Sequence, residues 1–152
     1  MAGFGGEVRC TLCESAGGDE AFVPLRAHTG DAGADLRVSE DVVIRPFSTV
    51  NAKTGVALAL ARGTAGLLFP RSGLSSKVGV TLANAVGLID SGYRGEIGLL
   101  LHNLTDKMVM LRRGERVAQI VVVPYYSCSF ELVDTLDETE RGGGGFGSTG
   151  TE

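Results

Sequence analysis

Short apolar runs, separated by glycine or proline, extend along most of this chain. The sequence of 152 residues holds 23 glycines, about twice the average usage of roughly 7%. No apolar periodicity of the helical kind continues over a long segment. Since tight turns between short strands need glycine, the pattern predicts one all-β domain.

We expect strands in nine segments that alternate or are continuously apolar. They are residues 7–13, 34–38, 42–44, 48–60, 64–70, 96–103, 107–111, 117–124 and 126–133. Val56, Leu58 and Leu60 should share an inner face, and 117–124 should be buried on both faces. The best helical candidate is one short turn at 72–79, with Ser72 as its N-cap.

The charge and the cysteines restrict the class of protein. A net charge of −4 does not favour binding to duplex nucleic acid. We also expect no signal peptide and no membrane span. Cys10, Cys13 and Cys128 are an odd number of thiols, which predicts a reducing, cytoplasmic location. A zinc site would need more ligands near the Cys-x-x-Cys pair than His28 and His102 supply.

The end of the chain differs from the rest in composition. Residues 1–137 read as the folded domain, whereas 138–152 are polar and contain four consecutive glycines. Such a segment buries too little apolar area to offset its ordering entropy, so we expect a flexible tail. Arg141, Phe146 and Ser148 in it would suit a flap over a planar anionic ligand, although a simply disordered terminus remains the alternative.

Five segments carry a resemblance to a known family. They are DAGADL at 31–36, PRSGLSSKVG at 70–79, NAVGLIDSGYRGEI at 84–97, RRGERVAQIV at 112–121 and RGGGGFGSTG at 141–150. In this order they resemble the five motifs of the trimeric dUTPases. The resemblance implies a jelly-roll-like β domain and a homotrimer with active sites shared between subunits. It also implies hydrolysis of dUTP to dUMP and pyrophosphate with Mg²⁺, which limits uracil in DNA and supplies dUMP for dTTP synthesis.

By this resemblance Asp90 is the catalytic residue. It would orient and deprotonate the water that attacks the α-phosphorus, and an aspartate is ionised at neutral pH. General-base help of this kind supplies roughly 10²–10⁴-fold, so positioning and charge neutralisation must supply the rest. The plain alternative is a turn aspartate that bonds its own backbone.

The same motif is implied to select the nucleoside. Tyr93 would pack against the deoxyribose and leave no room for a 2′-hydroxyl. The side chain of Asn84 and the backbone of a hairpin at 84–97, including Gly87 and Ile89, would read the edge of uracil. Cytosine would leave buried groups unpaired, at roughly 1–3 kcal/mol each.

The phosphates need donors and a cation. Arg71, Ser72 and Gly73 begin the helical turn, where free backbone N–H groups suit an anion. Gln119 is implied as a further phosphate ligand. Asp35 is implied to hold Mg²⁺ through water, which suits a metal that keeps several waters and uses few carboxylates.

The tail is implied to complete the substrate site. Arg141 and Ser148 would close on the γ-phosphate, and Phe146 would stack over the uracil. Gly147 lies between Phe146 and Ser148 in the sequence and is expected to belong to the same site. We assign no catalytic role to Arg94, which we expect to be structural or inter-subunit.

Two other functions fit parts of this pattern. The related dCTP deaminases carry a glutamate where this chain has Leu100, and usually a tryptophan where it has Tyr93. A catalytically silent nucleotide-binding protein of the same fold would be expected to lose Asp90, Arg141 or Phe146, and all three are present.

Overall fold

The computed structural model describes residues 6–145, which form short β-strands and little helix. The strands are β1 (Arg9–Leu12), β2 (Ala34–Arg37), β3 (Val42–Ile44), β4 (Thr49–Lys53), β5 (Val56–Ala59), β6 (Thr64–Pro70), β7 (Val80–Leu82), β8 (Gly87–Ile89), β9 (Gly98–Asn103), β10 (Val109–Leu111) and β11 (Arg116–Pro124). One α-helix, α1 (Ser72–Val78), and two 3₁₀ turns, Glu14–Ala16 and Glu20–Phe22, complete the elements. The predicted β-rich class is therefore confirmed.

The strands form four antiparallel sheets that enclose one core. Their orders are β2-β11-β6-β8, β4-β9-β7, β1-β5 and β3-β10. Fully buried aliphatic side chains from several sheets meet between them, among them Leu36, Ile44, Leu99, Leu101 and Leu111. Burial of this apolar area holds the sheets together as a jelly-roll-like sandwich.

The single strand predicted at 48–60 is two strands in the structure. Gly55 has φ +75, a conformation that ends β4 and redirects the chain into β5. β4 pairs with β9, whereas β5 pairs with β1. The predicted inner face is correct, because Val56, Leu58 and Leu60 are all buried.

Two predictions near the C-terminal end of the domain are wrong. β11 is buried only in its first half, and its residues 121–123 are half-buried. The segment 126–133 is not a strand, since no strand of the described chain pairs with it. Tyr126, Phe130 and Leu132 are 96%, 99% and 99% exposed. These apolar side chains find no partner surface within the described part of their own chain.

The predicted helical turn is present, but its cap differs from the prediction. α1 begins at Ser72 and its N-cap residue is Arg71, which makes no side-chain capping hydrogen bond. The prediction of Ser72 as N-cap is therefore wrong. The helix ends at Val78, and its C-cap is Gly79, whose left-handed φ of +76 suits that position.

The segment 84–97 is not a hairpin. β8 pairs with β6, and β9 pairs with β4 and β7, so the two strands belong to different sheets. The residues between them, 90–97, form a loop that crosses from one sheet to the other. We call these residues the Tyr93 loop.

Candidate functional site

Three neighbouring strands of the largest sheet bring polar side chains together. Asp35 on β2 is the register partner of Gln119 on β11, and Gln119 in turn lies opposite Phe69 on β6. Gly33 makes room for this arrangement, because a Cβ atom there would lie 3.0 Å from Cδ of Gln119. Sequence reasoning did not single out Gly33, although it lies within the first motif.

The carboxylate of Asp35 binds two arginines. Its Oδ1 lies 3.0 Å from Nε of Arg71, and its Oδ2 lies 2.9 Å from Nη1 of Arg116. The Asp35 side chain is only 14% exposed. Two guanidinium groups against one carboxylate leave an excess positive charge on an otherwise acidic protein. We call Asp35, Arg71, Arg116 and Gln119 the Asp35 cluster.

Arg116 was given no role from the sequence. It lies in the fourth motif, three residues before Gln119, and that position is the signal that could have identified it. Its partner, Asp35, can be recognised only once β11 is known to pair with β2, and the sequence alone does not reveal that pairing.

Helix α1 starts directly after Arg71. The amides of Leu74 and Ser75 both donate to the Arg71 carbonyl, at 3.1 Å each. The amides of Ser72 and Gly73 come before the first intrahelical bonds, as at every helix start. A Cβ atom on Gly73 would meet nothing within 4 Å, so its backbone is open to a ligand.

The Tyr93 loop is held by its own hydrogen bonds. Asp90 is exposed, and its carbonyl accepts a bond from the Tyr93 amide at 3.0 Å. The Tyr93 hydroxyl donates to the Glu96 carbonyl at 2.9 Å. Arg94 donates to the carbonyls of Ser91 and Tyr93, at 2.7 Å each, which agrees with a structural role.

The residues expected to read uracil lie just before this loop. Gly87 is opposite Leu68 in the sheet, where a Cβ atom would come within 2.9 Å of Leu68 Cδ1. Ile89 is half-buried, whereas Asn84 lies in an exposed turn between β7 and β8. The exposed backbone of that turn includes the Asn84 carbonyl, which accepts a bond from Val86 at 2.6 Å.

A single chain does not bring Asp90 close to the Asp35 cluster. Ile89 is opposite Gly66, so Asp90 follows toward the beginning of β6. Arg71 and the rest of the Asp35 cluster lie at the other end of β6. Asp90 lies level with Ala65, and Arg71 is six residues further along, directly after β6, which corresponds to about 20 Å of extended chain. Within residues 6–145, no hydrogen bond or ion pair connects Asp90 with the cluster.

The described part of the tail makes only local contacts. Arg141 is exposed, and its Nε donates to the Gly144 carbonyl at 3.0 Å. Phe146, Gly147 and Ser148 lie outside the described residues.

The structure restricts where a metal could bind. Among residues 6–145 there is no group of three His, Cys, Asp or Glu side chains suited to hold a metal ion. Each oxygen of Asp35 binds one arginine, so two positive charges already lie against this carboxylate. Each oxygen keeps one further acceptor position, so water-mediated holding of Mg²⁺ fits the donor set.

Outside these sites, burial, and then the Glu96 carboxylate, raise the pKa of the Cys13 thiol above its ordinary value. No described helix is long and apolar enough to cross a membrane.

Comparisons with known proteins identify the class. The dUTPase family model matches residues 19–150. The deoxyuridine 5′-triphosphate nucleotidohydrolase of Nocardia farcinica is 50% identical over 129 residues, which cover 84% of this chain and 78% of that protein. The corresponding protein of Corynebacterium glutamicum is 49% identical over 132 residues, which cover 86% and 89%.

Solved structures agree. A mutant dUTPase of Staphylococcus bacteriophage 80alpha with dUpNHpp matches with a TM-score of 0.86 and 30% identity, over 97% of this chain and all of that one. A mutant dUTPase of S. aureus phage phi11, described with a structural Mg(II) ion, matches with a TM-score of 0.75 and 27% identity, over 86% and 98%. The chain therefore belongs to the dUTPase family. The resemblance drawn from the five motifs is confirmed, and so is the prediction of an enzyme of this family.

Proposed function

We propose that this chain hydrolyses dUTP to dUMP and pyrophosphate. The observation that carries the proposal is the Asp35 cluster, which gives an acidic protein a locally positive site beside the start of α1. A triphosphate is the part of the substrate that such a site would bind. The names of the relatives support deoxyuridine triphosphate as the nucleotide.

The reaction is the attack of water on the α-phosphorus. Asp90 accepts a proton from the water as its oxygen bonds to phosphorus, and the bond to the α,β-bridging oxygen breaks, so that pyrophosphate leaves. Asp90 is exposed and forms no side-chain ion pair among the described residues, so its carboxylate is available for this task. General-base help is worth roughly 10²–10⁴-fold.

Charge neutralisation comes from the phosphate ligands. Arg71, Gln119 and the amides of Ser72 and Gly73 bind phosphate oxygens, and the ion pair with Asp35 fixes the direction of the Arg71 guanidinium. Mg²⁺, held by Asp35 through water, would neutralise further negative charge on the phosphates. The residues of the chain supply orientation and part of the positive charge, and the metal would supply the rest.

Selection of the nucleoside belongs to the residues around β8. The Tyr93 ring excludes a 2′-hydroxyl, and the exposed turn at Asn84, with Gly87 and Ile89, reads uracil. The tail closes the site, with Arg141 and Ser148 on the γ-phosphate beside Gly147, and with Phe146 over the base. The division into a β domain at 1–137 and a closing tail at 138–152 remains part of this proposal.

The same proposal includes a homotrimer with shared sites, which the distances within one chain support. Neighbouring phosphorus atoms of a triphosphate share one bridging oxygen, yet Asp90 and Arg71 of one chain lie about 20 Å apart along β6. Cyclic symmetry lets Asp90 of one subunit meet the Asp35 cluster of another. The exposed apolar side chains of 126–133 support the same assembly, since they need a surface to cover them.

The test is an assay with two nucleotides. We expect pyrophosphate and dUMP from dUTP, and neither pyrophosphate nor ammonia from dCTP. Ammonia from dCTP would mean a deaminase, and tight nucleotide binding without any product would mean a silent binding protein. The activity would limit uracil in DNA and supply dUMP for dTTP synthesis, while the cytoplasmic location stays a prediction.

A further inference from the structure

The carboxylate of Glu96 connects the Tyr93 loop with distant parts of the sequence. Its Oε1 accepts a hydrogen bond from the Gly55 amide at 2.8 Å and another from the Ser15 hydroxyl. Gly55 lies between β4 and β5, and Ser15 lies in the first 3₁₀ turn. One half-buried side chain therefore joins three separate parts of the fold.

The backbone of the same residue supports Tyr93. The phenol hydroxyl donates to the Glu96 carbonyl, and the ring lies against Gly95, where a Cβ atom would come within 2.6 Å of Tyr93 Cζ. Tyr93 is 44% exposed, and within the loop this hydrogen bond and the contact with Gly95 fix its ring. The position of the ring follows the position of the backbone at 95–96.

Other residues of the Tyr93 loop are weaker candidates for positioning the Tyr93 ring. The Arg94 side chain bonds only carbonyls of the loop itself, so it moves with the loop. Ile97 is buried and its amide donates to the Val56 carbonyl, but it lies one residue beyond the Glu96 carbonyl to which Tyr93 bonds. Among the described residues, Glu96 is the loop residue whose side chain hydrogen-bonds to a different part of the fold.

We infer that Glu96 is a positioning residue for Tyr93, and that Ser15 and Gly55 hold it in place. A ring excludes a 2′-hydroxyl only if it cannot move aside, and a site loosened by about 1 Å loses much of its selectivity. Loss of the Glu96 carboxylate should let the ring shift and admit ribonucleotides. The inference rests on the proposed role of Tyr93 in sugar selection.

Part of the hydrogen bonding that holds Glu96 comes from the N-terminal segment that contains Cys13 and Ser15. Ser15 precedes residue 19, where the match to the family model begins. The same segment also bonds directly to Gly55, since the Cys13 amide donates to the Gly55 carbonyl at 2.8 Å. Sugar selection in this chain would therefore depend on residues outside the matched region.

The activity test compares kcat/KM for dUTP with kcat/KM for UTP. Glu96→Ala should lower this ratio at least about fivefold, in the direction of Tyr93→Ala, because it removes an acceptor of two hydrogen bonds. Glu96→Gln keeps an oxygen acceptor and should retain most of the ratio. Ser15→Ala should have a smaller effect than Glu96→Ala. Glu14→Ala, which removes an exposed carboxylate next to Ser15, is the matched control and should equal wild type.

A second readout follows the ring without any substrate. The chain has three tyrosines, Tyr93, Tyr125 and Tyr126. In protein labelled with 3-fluorotyrosine, the Tyr93 ¹⁹F resonance is assigned from its loss in Tyr93→Phe. Glu96→Ala should shift that resonance and leave the other two in place. Melting temperatures identify any variant that does not fold, in which case Ser15→Ala carries the test.

The outcomes separate this inference from the proposed function. An unchanged Tyr93 resonance in folded Glu96→Ala would overturn the inference. So would an unchanged nucleotide ratio in Glu96→Ala when Tyr93→Ala does change it. If the resonance shifts but Tyr93→Ala itself leaves the ratio unchanged, Glu96 does position the ring, and the proposed role of Tyr93 in sugar selection is wrong.

Discussion

Arg71 Nε lies 3.0 Å from Oδ1 of Asp35, and this ion pair joins the residue before α1 to strand β2. The same carboxylate binds Arg116 at 2.9 Å. The residue expected to hold Mg²⁺ is therefore also the counter-ion that orients two arginines. Its removal should disturb phosphate binding as well as the use of metal.

We predict that Asp35→Asn lowers kcat/KM for dUTP and raises the Mg²⁺ concentration needed for half-maximal activity. The stability loss should be modest, about 1 kcal/mol, since both arginines remain partly exposed. Metal titrations and thermal melts measure the two effects. Asp41→Asn, which removes the carboxylate paired with Arg112 at 2.7 Å elsewhere on the surface, is the control. Equal metal dependence in both variants would contradict the role of Asp35.

Asp90→Asn should still bind dUTP but lose nearly all turnover. In the proposed reaction Asp90 acts on the water, so its effect should appear mainly in kcat and little in binding. Single-turnover kinetics and equilibrium binding with a non-hydrolysable analogue separate the two. Because general-base help is worth roughly 10²-fold or more, turnover within about tenfold of wild type would remove Asp90 from this role.

Gly95→Ala should displace the Tyr93 ring and reduce the preference for dUTP over UTP. The new Cβ would lie within 2.6 Å of Tyr93 Cζ, closer than real Cβ contacts allow. Gly92→Ala is the matched control on the same loop, since a Cβ there meets nothing within 4 Å. The ratio of kcat/KM values for dUTP and UTP is the measurement. A preserved ratio in Gly95→Ala would show that the ring can move without affecting sugar selection.

Much of this fold could be read from the sequence because its signals are local. The strands at 42–44 and 64–70 have the predicted bounds, and the helical turn after Pro70 is present. What the pattern could not supply is the choice of partner strand. β8 and β9 are close in sequence, yet β8 pairs with β6, where Gly87 lies against Leu68 and a larger residue would not fit.

In the candidate site, too, local motifs could be read from the sequence, whereas long-range contacts could not. The motifs predict that Asp35, Arg71 and Gln119 belong to one site, and the strand register and an ion pair place the three near one another. The motifs gave no role to Arg116 and did not reveal the bond between Ser15 and Glu96, which are 81 positions apart. Such contacts depend on long-range packing that no local pattern encodes.

Truncation before Arg141 should leave the folded domain intact but abolish efficient hydrolysis. Arg141 contacts only the local turn at Gly144, so its removal breaks no contact with the core. We expect a melting temperature within about 2 °C of the full chain, since the described residues that are removed, 141–145, bury no apolar side chain, together with a large fall in kcat/KM for dUTP. A large drop in melting temperature would mean that these residues support the fold.

The last prediction concerns which chains build one site. We expect a site to take Asp90 from one subunit, the Asp35 cluster from a second and the tail from a third. The Asp90→Asn chain and the chain truncated before Arg141 should each form inactive trimers. They are mixed in equal amounts, unfolded, refolded together and assayed with dUTP.

In a mixed trimer, a site works when the truncated chain donates Asp90 and the Asp90→Asn chain donates the tail. Each donor is correct with a chance of one half, so random assembly should recover about a quarter of wild-type activity under closed three-fold symmetry. If the tail instead closed over Asp90 of its own chain, every mixed trimer would stay inactive. The absence of recovery, with mixed trimers demonstrated by mass spectrometry, would reject the three-chain site. It would leave the proposed hydrolysis of dUTP untouched, because the unaltered chain carries Asp90, the Asp35 cluster and the tail together.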